Sequence, residues 1–333
     1  MAVGVDFEAS YVLPADLHVV QRDRSTIQIG TEQPRRALLV DAPDHAVAVL
    51  NGLNATTTAG QVVARYDGDP LVWRSVLGQL LDAGLLVPAP RSVPRSPHLA
   101  GERLSLIHRY GTTVADRVLT ARSDALVVVD GDGPLADSVA SLLASSGIGH
   151  VHERRPAGRD PRRRAERGAP QPDAAWLAAP DVRIHRPAPQ VPPSVVVLAD
   201  SRPPDPARAA DLVTGLIPHL PVQVTQARLI VGPLVLPGRT ACLNCLDRTR
   251  TEADGGWPVV VRAMHNAPPL PSALTLQAAA ELTAGEILDL VDGMRRPAST
   301  GATMERRCGE IEVRRRPWEP HPDCGCRLLA RHL

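Results

Sequence analysis

Four of the five cysteines fall into two tight pairs: Cys242-Leu243-Asn244-Cys245, a CxxC, and Cys324-Gly325-Cys326, a CxC. At these spacings the thiolates of Cys242, Cys245, Cys324 and Cys326 make a complete tetrahedral zinc set. Four thiolates leave no coordination position open for a reactive water, so the expected zinc is structural. A disulfide between neighbouring thiols and chance placement are the alternatives. In a reducing compartment, paired cysteines read as metal ligands before disulfides. Cys308 reads as a buried or incidental thiol, and His265 and His321 receive no role.

A second set of residues has the spacing of nucleotide chemistry. The apolar run Ala125 to Asp130 leads into Gly131-Asp132-Gly133-Pro134-Leu135-Ala136 and then a helix closed by Gly147. Gly131 and Gly133 permit a tight turn and close approach of phosphate to a helix N-terminus. The third glycine of the fingerprint is Ala136, and Pro134 removes one amide. Glu153 stands where a ribose-binding carboxylate is expected, roughly 20 residues on. Asp200 ends the next buried run, Ser194 to Asp200, at the strand end where ligands sit in open α/β sheets. Gly131, Gly133, Glu153 and Asp200 are therefore the candidate nucleotide-binding residues. A packing use of the glycines fits equally well.

The elements that must position these groups follow from the pattern of apolar residues. Strands are expected at residues 125–130, 149–153, 194–200, 221–224 and 228–231. Helices are expected at 104–119, after Pro134, from Pro206 to Ile217 and from Ala273, capped by Ser272, to about Val291. Two short strands are expected around Met304 and Ile311. Arg154 to Pro193 breaks the pattern with nine arginines and nine prolines. It reads as a solvated insertion, or else as an arginine-rich clamp for an acidic peptide or polyphosphate. The implied domain is Rossmann-like and spans about 102–333, after a proline-punctuated linker at 88–100.

Residues 1–95 alternate short β runs (17–20, 26–29, 37–40) with three short helices beginning near Pro43, Thr58 and Pro70. Leu85 to Val87 is the expected wing strand of a winged helix-turn-helix. This module carries eight arginines against ten acids, which argues against a DNA footprint. Docking of a peptide along an open strand edge suits it better, with a purely structural role as the other option.

Global composition excludes several classes. The net charge is +1 in 333 residues, and the basic residues are all arginine. Lysine chemistry, whether a Schiff base or a Walker lysine, is therefore closed to the chain. Neither a nucleic-acid partner nor a membrane is expected, and a cytoplasmic location is.

Gly131-Asp132-Gly133 with Gly147, the strand ending at Asp200, and the phrase Gly-Pro-Leu-Val-Leu-Pro-Gly-Arg-Thr-Ala-Cys-Leu-Asn-Cys at 232–245 resemble the ThiF-type superfamily. That group includes the ubiquitin-activating-like adenylyltransferases. The late CxC fits the structural zinc of that superfamily. With a winged module in front, the chain is similar to the leader-peptide-binding partners of YcaO cyclodehydratases. The resemblance implies an α/β fold, a winged helix-turn-helix followed by a Rossmann-like ThiF-type domain with a four-cysteine zinc site. It implies a precursor leader peptide and a YcaO-type enzyme as partners, with a second copy of the chain as a further one. Working ThiF-type enzymes use MgATP, a lysine and a metal-binding aspartate. Only Glu153 and Asp200 have counterparts here, so the expected function is a non-catalytic leader-peptide-binding scaffold. The alternative is an ATP-dependent adenylyltransferase acting on a peptide or protein C-terminus, with Asp200 catalytic.

Overall fold

The computed structural model describes residues 5–14, 17–31, 36–89, 97–155, 173–179, 181–185, 190–200, 202–266 and 270–329. It divides into a unit spanning residues 1–117 and a unit spanning residues 118–333. No helix among the described residues is long and apolar enough to cross a membrane.

In the first unit, β1 (Tyr11–Val12) pairs antiparallel with β5 (Val87–Pro88). β2 (Val19–Gln21), β3 (Ile27–Ile29) and β4 (Ala37–Leu39) form an antiparallel sheet in the order β2-β3-β4. Three helices follow: α1 (Ala46–Gly52), α2 (Ala59–Arg65) and α3 (Pro70–Asp82). Thr58 caps α2 through a full capping box with Gln61, and Asp69 caps α3 before Pro70. These caps satisfy otherwise orphaned first-turn amides. Ile27, Ile29, Val49, Leu50, Val62, Trp73 and Leu77 bury together into one core. The return strand differs from expectation. Leu85 and Leu86 turn into this core, and the strand itself is Val87–Pro88.

The helix expected over residues 104–119 is two helices, α4 (Ala100–Tyr110) and α5 (Thr112–Asp124). Gly111, at φ 82°, ends the first, because a left-handed residue cannot continue a right-handed helix.

The second unit is built on an eight-stranded sheet in the order β13-β12-β11-β10-β9-β6-β7-β8. Its strands are β6 (Leu126–Asp130), β7 (His150–Arg154), β8 (Arg183–Ile184), β9 (Val195–Leu198), β10 (His219–Val224), β11 (Arg228–Val231), β12 (Ala302–Arg307) and β13 (Arg314–Pro317). From β8 to β10 neighbours run parallel, and from β10 to β13 they run antiparallel. The helices are α6 (Pro134–Ser145), α7 (Ala174–Ala178), α8 (Pro206–Thr214), α9 (Leu243–Ala253), α10 (Trp257–Asn266), α11 (Ala273–Asp292) and α12 (Cys326–Leu329).

Alternation along β6 decides the layers. Val127 and Val129 face α6 and the alanine-rich side of α11, burying Val139, Leu143, Ala280 and Ile287 beside them. Val128 faces the other way, onto Leu212 of α8 with Val196 and Leu198. Both faces are covered, which is why these strands read as continuous valine runs. Truncating the fully buried Leu143 to Ala should cost about 2–5 kcal/mol. Arg122 and Asp292 form a buried bidentate pair at 2.7 Å, and Arg122 also donates to the Ser146 carbonyl. Removing one partner would leave an uncompensated buried charge, worth about 3–5 kcal/mol.

Two expected features move. Ile311 lies in the loop between β12 and β13 at 95% exposure, and the last strand is Arg314–Pro317. Register explains it: β13 pairs Arg314 with Glu305 and Pro317 with Ala302, leaving residue 311 in the turn. Arg154, which composition assigns to the insertion, is the last residue of β7 and pairs with Asp130 in register. Within the same stretch, α7 and β8 are ordered elements, Ala175 being fully buried. Residues 156–172, 180 and 186–189 of the insertion lie outside the described residues.

His219 opens β10 in full burial and donates from Nδ1 to the Ile217 carbonyl. Its Nε2 has no partner among the described residues. Burial foremost, with Arg208 adding to it against the Ile217 bond, holds its pKa below the usual imidazole value of 6.5. The unfolded chain therefore binds this proton more readily than the folded chain. Stability should be full above about pH 6.5 and fall as pH drops toward 5, and His219→Leu should flatten that slope. Denaturant unfolding at several pH values measures it.

Candidate functional site

The four paired cysteines meet. Cys242 Sγ lies 3.7 Å from Cys245 Sγ and 3.6 Å from Cys324 Sγ, and Cys245 Sγ lies 3.4 Å from Cys326 Sγ. A tetrahedral zinc with Zn–S bonds of about 2.3 Å requires sulfur–sulfur separations of roughly 3.8 Å. The cluster is near that shape, and no pair is at disulfide distance. Tertiary structure supplies the meeting: Cys242 is the N-cap of α9, Cys245 sits in its first turn, and the second pair is carried beside them at the start of α12.

All four are buried with Val235, Leu246 and Trp318. Donors converge on the sulfurs: Asn244 Nδ2 reaches Cys324 Sγ at 3.3 Å, and the backbone amide of His321 points at Cys245. Hydrogen bonding from Cys242 above all pulls the Cys245 thiol down to about 4, while burial above all pushes Cys326 up to about 12. The same contact with Cys245 above all pushes Cys242 up. Four thiolates packed this closely repel one another, and a bound cation would offset that repulsion. The donor set therefore fits a metal with four sulfur ligands. Beside it, His321 accepts at Nδ1 from the Asp323 amide, which places its proton on Nε2, toward Glu252 at 2.7 Å. Cys308 is exposed, with Thr275 Oγ1 at 3.4 Å.

Gly131, Gly133, Glu153 and Asp200 come together at the carboxyl ends of β6, β7 and β9, although each is used differently. A Cβ on Gly131 would collide with the carbonyl of Ala199, because the ends of β6 and β9 abut. Packing thus requires glycine there whatever binds nearby. Gly133, at φ 103°, is the N-cap of α6. Glu153 Oε2 takes a 2.8 Å bond from Arg155, and its Oε1 takes one from the Ala175 amide at 2.9 Å. Asp200 is held by Arg202, whose Nε and Nη2 lie 3.2 and 3.0 Å from its two oxygens.

Residues that sequence reasoning passed over complete the site. Asp130, 6% exposed, is gripped by Arg154 Nη1 at 2.7 and 2.8 Å and by Arg208 Nε at 2.9 Å. Arg155 also reaches Asp137. Burial works against its charge, but Glu153, Asp137 and Asp132 together raise its pKa above the ordinary arginine value. The one available signal was the carboxylate ending β6 opposite an arginine ending β7. Only the register makes that signal specific.

Metal analysis of the purified chain should find about one divalent ion bound. Cys245→Ser should release it and lower Tm by more than about 10 °C, since structural metal binding is folding free energy, on the order of 10 kcal/mol in small sites. Gly131→Val should fail to fold, whereas Gly133→Ala should fold.

No protein-family model matches this sequence, and no curated protein matches it. Solved structures do. E. coli MccB with AMPCPP and selenomethionine-labelled MccA is 14% identical with a TM-score of 0.59, covering 95% of this chain and 99% of that one. MccB with ATP matches with the same identity, TM-score and coverage. A heterocyclase in complex with substrate and cofactor is 17% identical with a TM-score of 0.58; 96% of this chain matches 40% of that one. At these identities the likeness concerns architecture, and along nearly its whole length this chain has the fold of the microcin C7 biosynthetic enzyme MccB.

Proposed function

We propose that the chain is a leader-peptide-binding scaffold for ribosomal peptide modification, serving a YcaO-type cyclodehydratase partner and carrying out no adenylyl transfer itself. The observation that carries this reading is the state of the strand-end carboxylates. A magnesium ion at Asp200 and a ribose at Glu153 both need free carboxylate lone pairs. Arg202 occupies both oxygens of Asp200, and Arg155 with the Ala175 amide occupies those of Glu153. Adenylyl transfer depends on positive charge placed where the transition state develops negative charge. Here four arginines are committed to four carboxylates, and the chain has no lysine to add.

The N-terminal unit, read as a winged helix-turn-helix, supplies the peptide site. Register places Val20, Gln28 and Leu38 side by side on the sheet face opposite Ile27 and Ile29. Val20, Leu38 and Val40 are exposed. An apolar strip beside open strand edges suits an extended peptide that adds as a strand and seats alternate side chains. The presence of MccA in MccB structures and of a substrate in the heterocyclase complex supports a peptide-handling role. In this reading the four cysteines hold a structural zinc, which fixes α9 against the end of the chain and offers no open coordination position.

The second reading is an ATP-dependent adenylyltransferase acting on a peptide or protein C-terminus, favoured by the MccB structures holding ATP and AMPCPP. It would use Gly131 and Gly133 under the phosphates, Glu153 on the ribose and Asp200 on magnesium.

Calorimetry separates the two. The scaffold reading expects no MgATP binding in the micromolar range, and micromolar binding abolished by Asp200→Ala would overturn it. A cognate leader peptide should bind the full chain and lose at least tenfold, about 1.4 kcal/mol, in the Val20→Asp/Leu38→Asp variant. For the metal, cobalt substitution should give the absorption of a tetrahedral tetrathiolate site.

A further inference from the structure

The antiparallel end of the large sheet holds a cavity that borders the metal cluster, with Cys242, Cys324 and Cys326 in its lining, and an arginine-rich edge strand. This cavity, of about 460 Å³, lies between the sheet and helices α8, α9 and α10, walled by Val213, Ile230, Leu246, Trp257, Val261 and Met264. Ile230 and Thr303 line its floor. Register puts Ile230 beside Glu305, Glu305 beside Arg314, and Thr303 beside Arg316. Arg314 and Arg316 therefore stand on the cavity's face of the sheet, as does Arg228, two residues before Ile230.

Arg316 and Arg250 continue this row by stacking on two tryptophans. Arg250 lies over Trp257 at 4.8 Å and over Trp318 at 5.1 Å, and Arg316 lies over Trp318 at 4.3 Å. The facing carboxylates are few, and their closest bonds are to neutral donors. Asp247 accepts from Trp257 Nε1 at 3.0 Å and Glu305 from Thr303 Oγ1 at 2.9 Å, whereas Glu305 is 3.8 Å from Arg228 and Glu312 is 4.0 Å from Arg314. Burial lowers the pKa of Arg250 below the ordinary arginine value, against Asp247 and Glu305, with Arg316 and Arg228 adding smaller effects in the same direction as burial. The hairpin Ala302 to Trp318 alone carries five arginines against three glutamates.

β13 is the outermost strand. All four of its residues are exposed, and among the described residues no other strand pairs with its outer edge. Such an edge is a template for strand addition unless charge or cover protects it. Three consecutive arginines protect it from a second copy, because antiparallel self-pairing sets like charges opposite one another. The same charges select an acidic partner.

We propose that this surface docks an acidic, extended polypeptide segment that adds to β13 and seats an apolar side chain in the adjacent cavity. The open main-chain edge and the apolar cavity favour a polypeptide, since a nucleic acid would use neither. The site is separate from the N-terminal module and does not depend on whether Asp200 serves a nucleotide.

Fluorescence anisotropy of the full chain with a labelled peptide of alternating Glu and Val around one central Leu tests it. Saturable, salt-sensitive binding is expected, with at least tenfold loss when Lys replaces Glu in the peptide. Arg314→Glu/Arg316→Glu should cost at least tenfold. Arg315→Pro should weaken binding as strongly while leaving Arg314 and Arg316, because it removes a main-chain donor from the edge. Circular dichroism and thermal melts confirm that each variant is folded. The Val20→Asp/Leu38→Asp variant should bind this peptide unchanged. Absence of saturable binding, equal affinity in the Arg314/Arg316 variant, or loss in the Val20/Leu38 variant instead would each overturn the proposal. Tighter binding of polyphosphate or a single-stranded oligonucleotide than of the peptide would overturn it too, as would a concentration-dependent dimer abolished by Arg314→Glu/Arg316→Glu.

Discussion

Four thiols gathered from positions about eighty residues apart constrain the second unit more than any other contact. The cluster fixes the N-terminus of α9 against the start of α12, and between those points the chain must lay down α10, α11 and the β12–β13 hairpin. Four sulfurs converge on one point, which is the donor set for a single metal ion. The cluster also walls one side of the cavity against the sheet, with Cys242, Cys324 and Cys326 in its lining. A structural metal here would shape a surface without touching its ligand.

At the carboxyl ends of the parallel strands, charge is arranged differently. Asp130, Glu153 and Asp200 stand where a Rossmann-like sheet presents its ligand groups, yet each is already paired with an arginine of the same chain. These pairs are partly buried, and breaking one to admit a metal or a ribose leaves the released guanidinium to find another anion. A polyphosphate could be that anion in a working enzyme. In this chain each of these guanidinium groups already meets a carboxylate, Arg154 and Arg208 sharing Asp130.

The glycines show how one residue serves two readings. Gly131 is placed as in a phosphate-binding turn, but the Ala199 carbonyl fills the space a Cβ would need, which would demand glycine in a sheet that binds nothing. The motif therefore says more about the crossing of β6 and β9 than about a ligand.

Much of the architecture was legible in the sequence, because local physics writes it there. Valine runs mark strands covered on both faces, Thr58, Pro70 and Ser272 mark helix starts, and Gly293, at φ 63°, marks the end of α11. The paired cysteines were legible as ligands because their spacing is itself the chemistry. What the sequence could not supply was register. That Arg154 lies opposite Asp130, that Arg314 and Arg316 share a face with Ile230, and that residue 311 falls in a turn are each settled by which residue pairs with which across the sheet. A one-residue slip would send every one of these side chains to the opposite face. Sequence by itself determined most of the elements and the pairing of four cysteines; tertiary pairing alone decided which charges meet, because Coulombic contacts act through space and carry no periodicity along the chain.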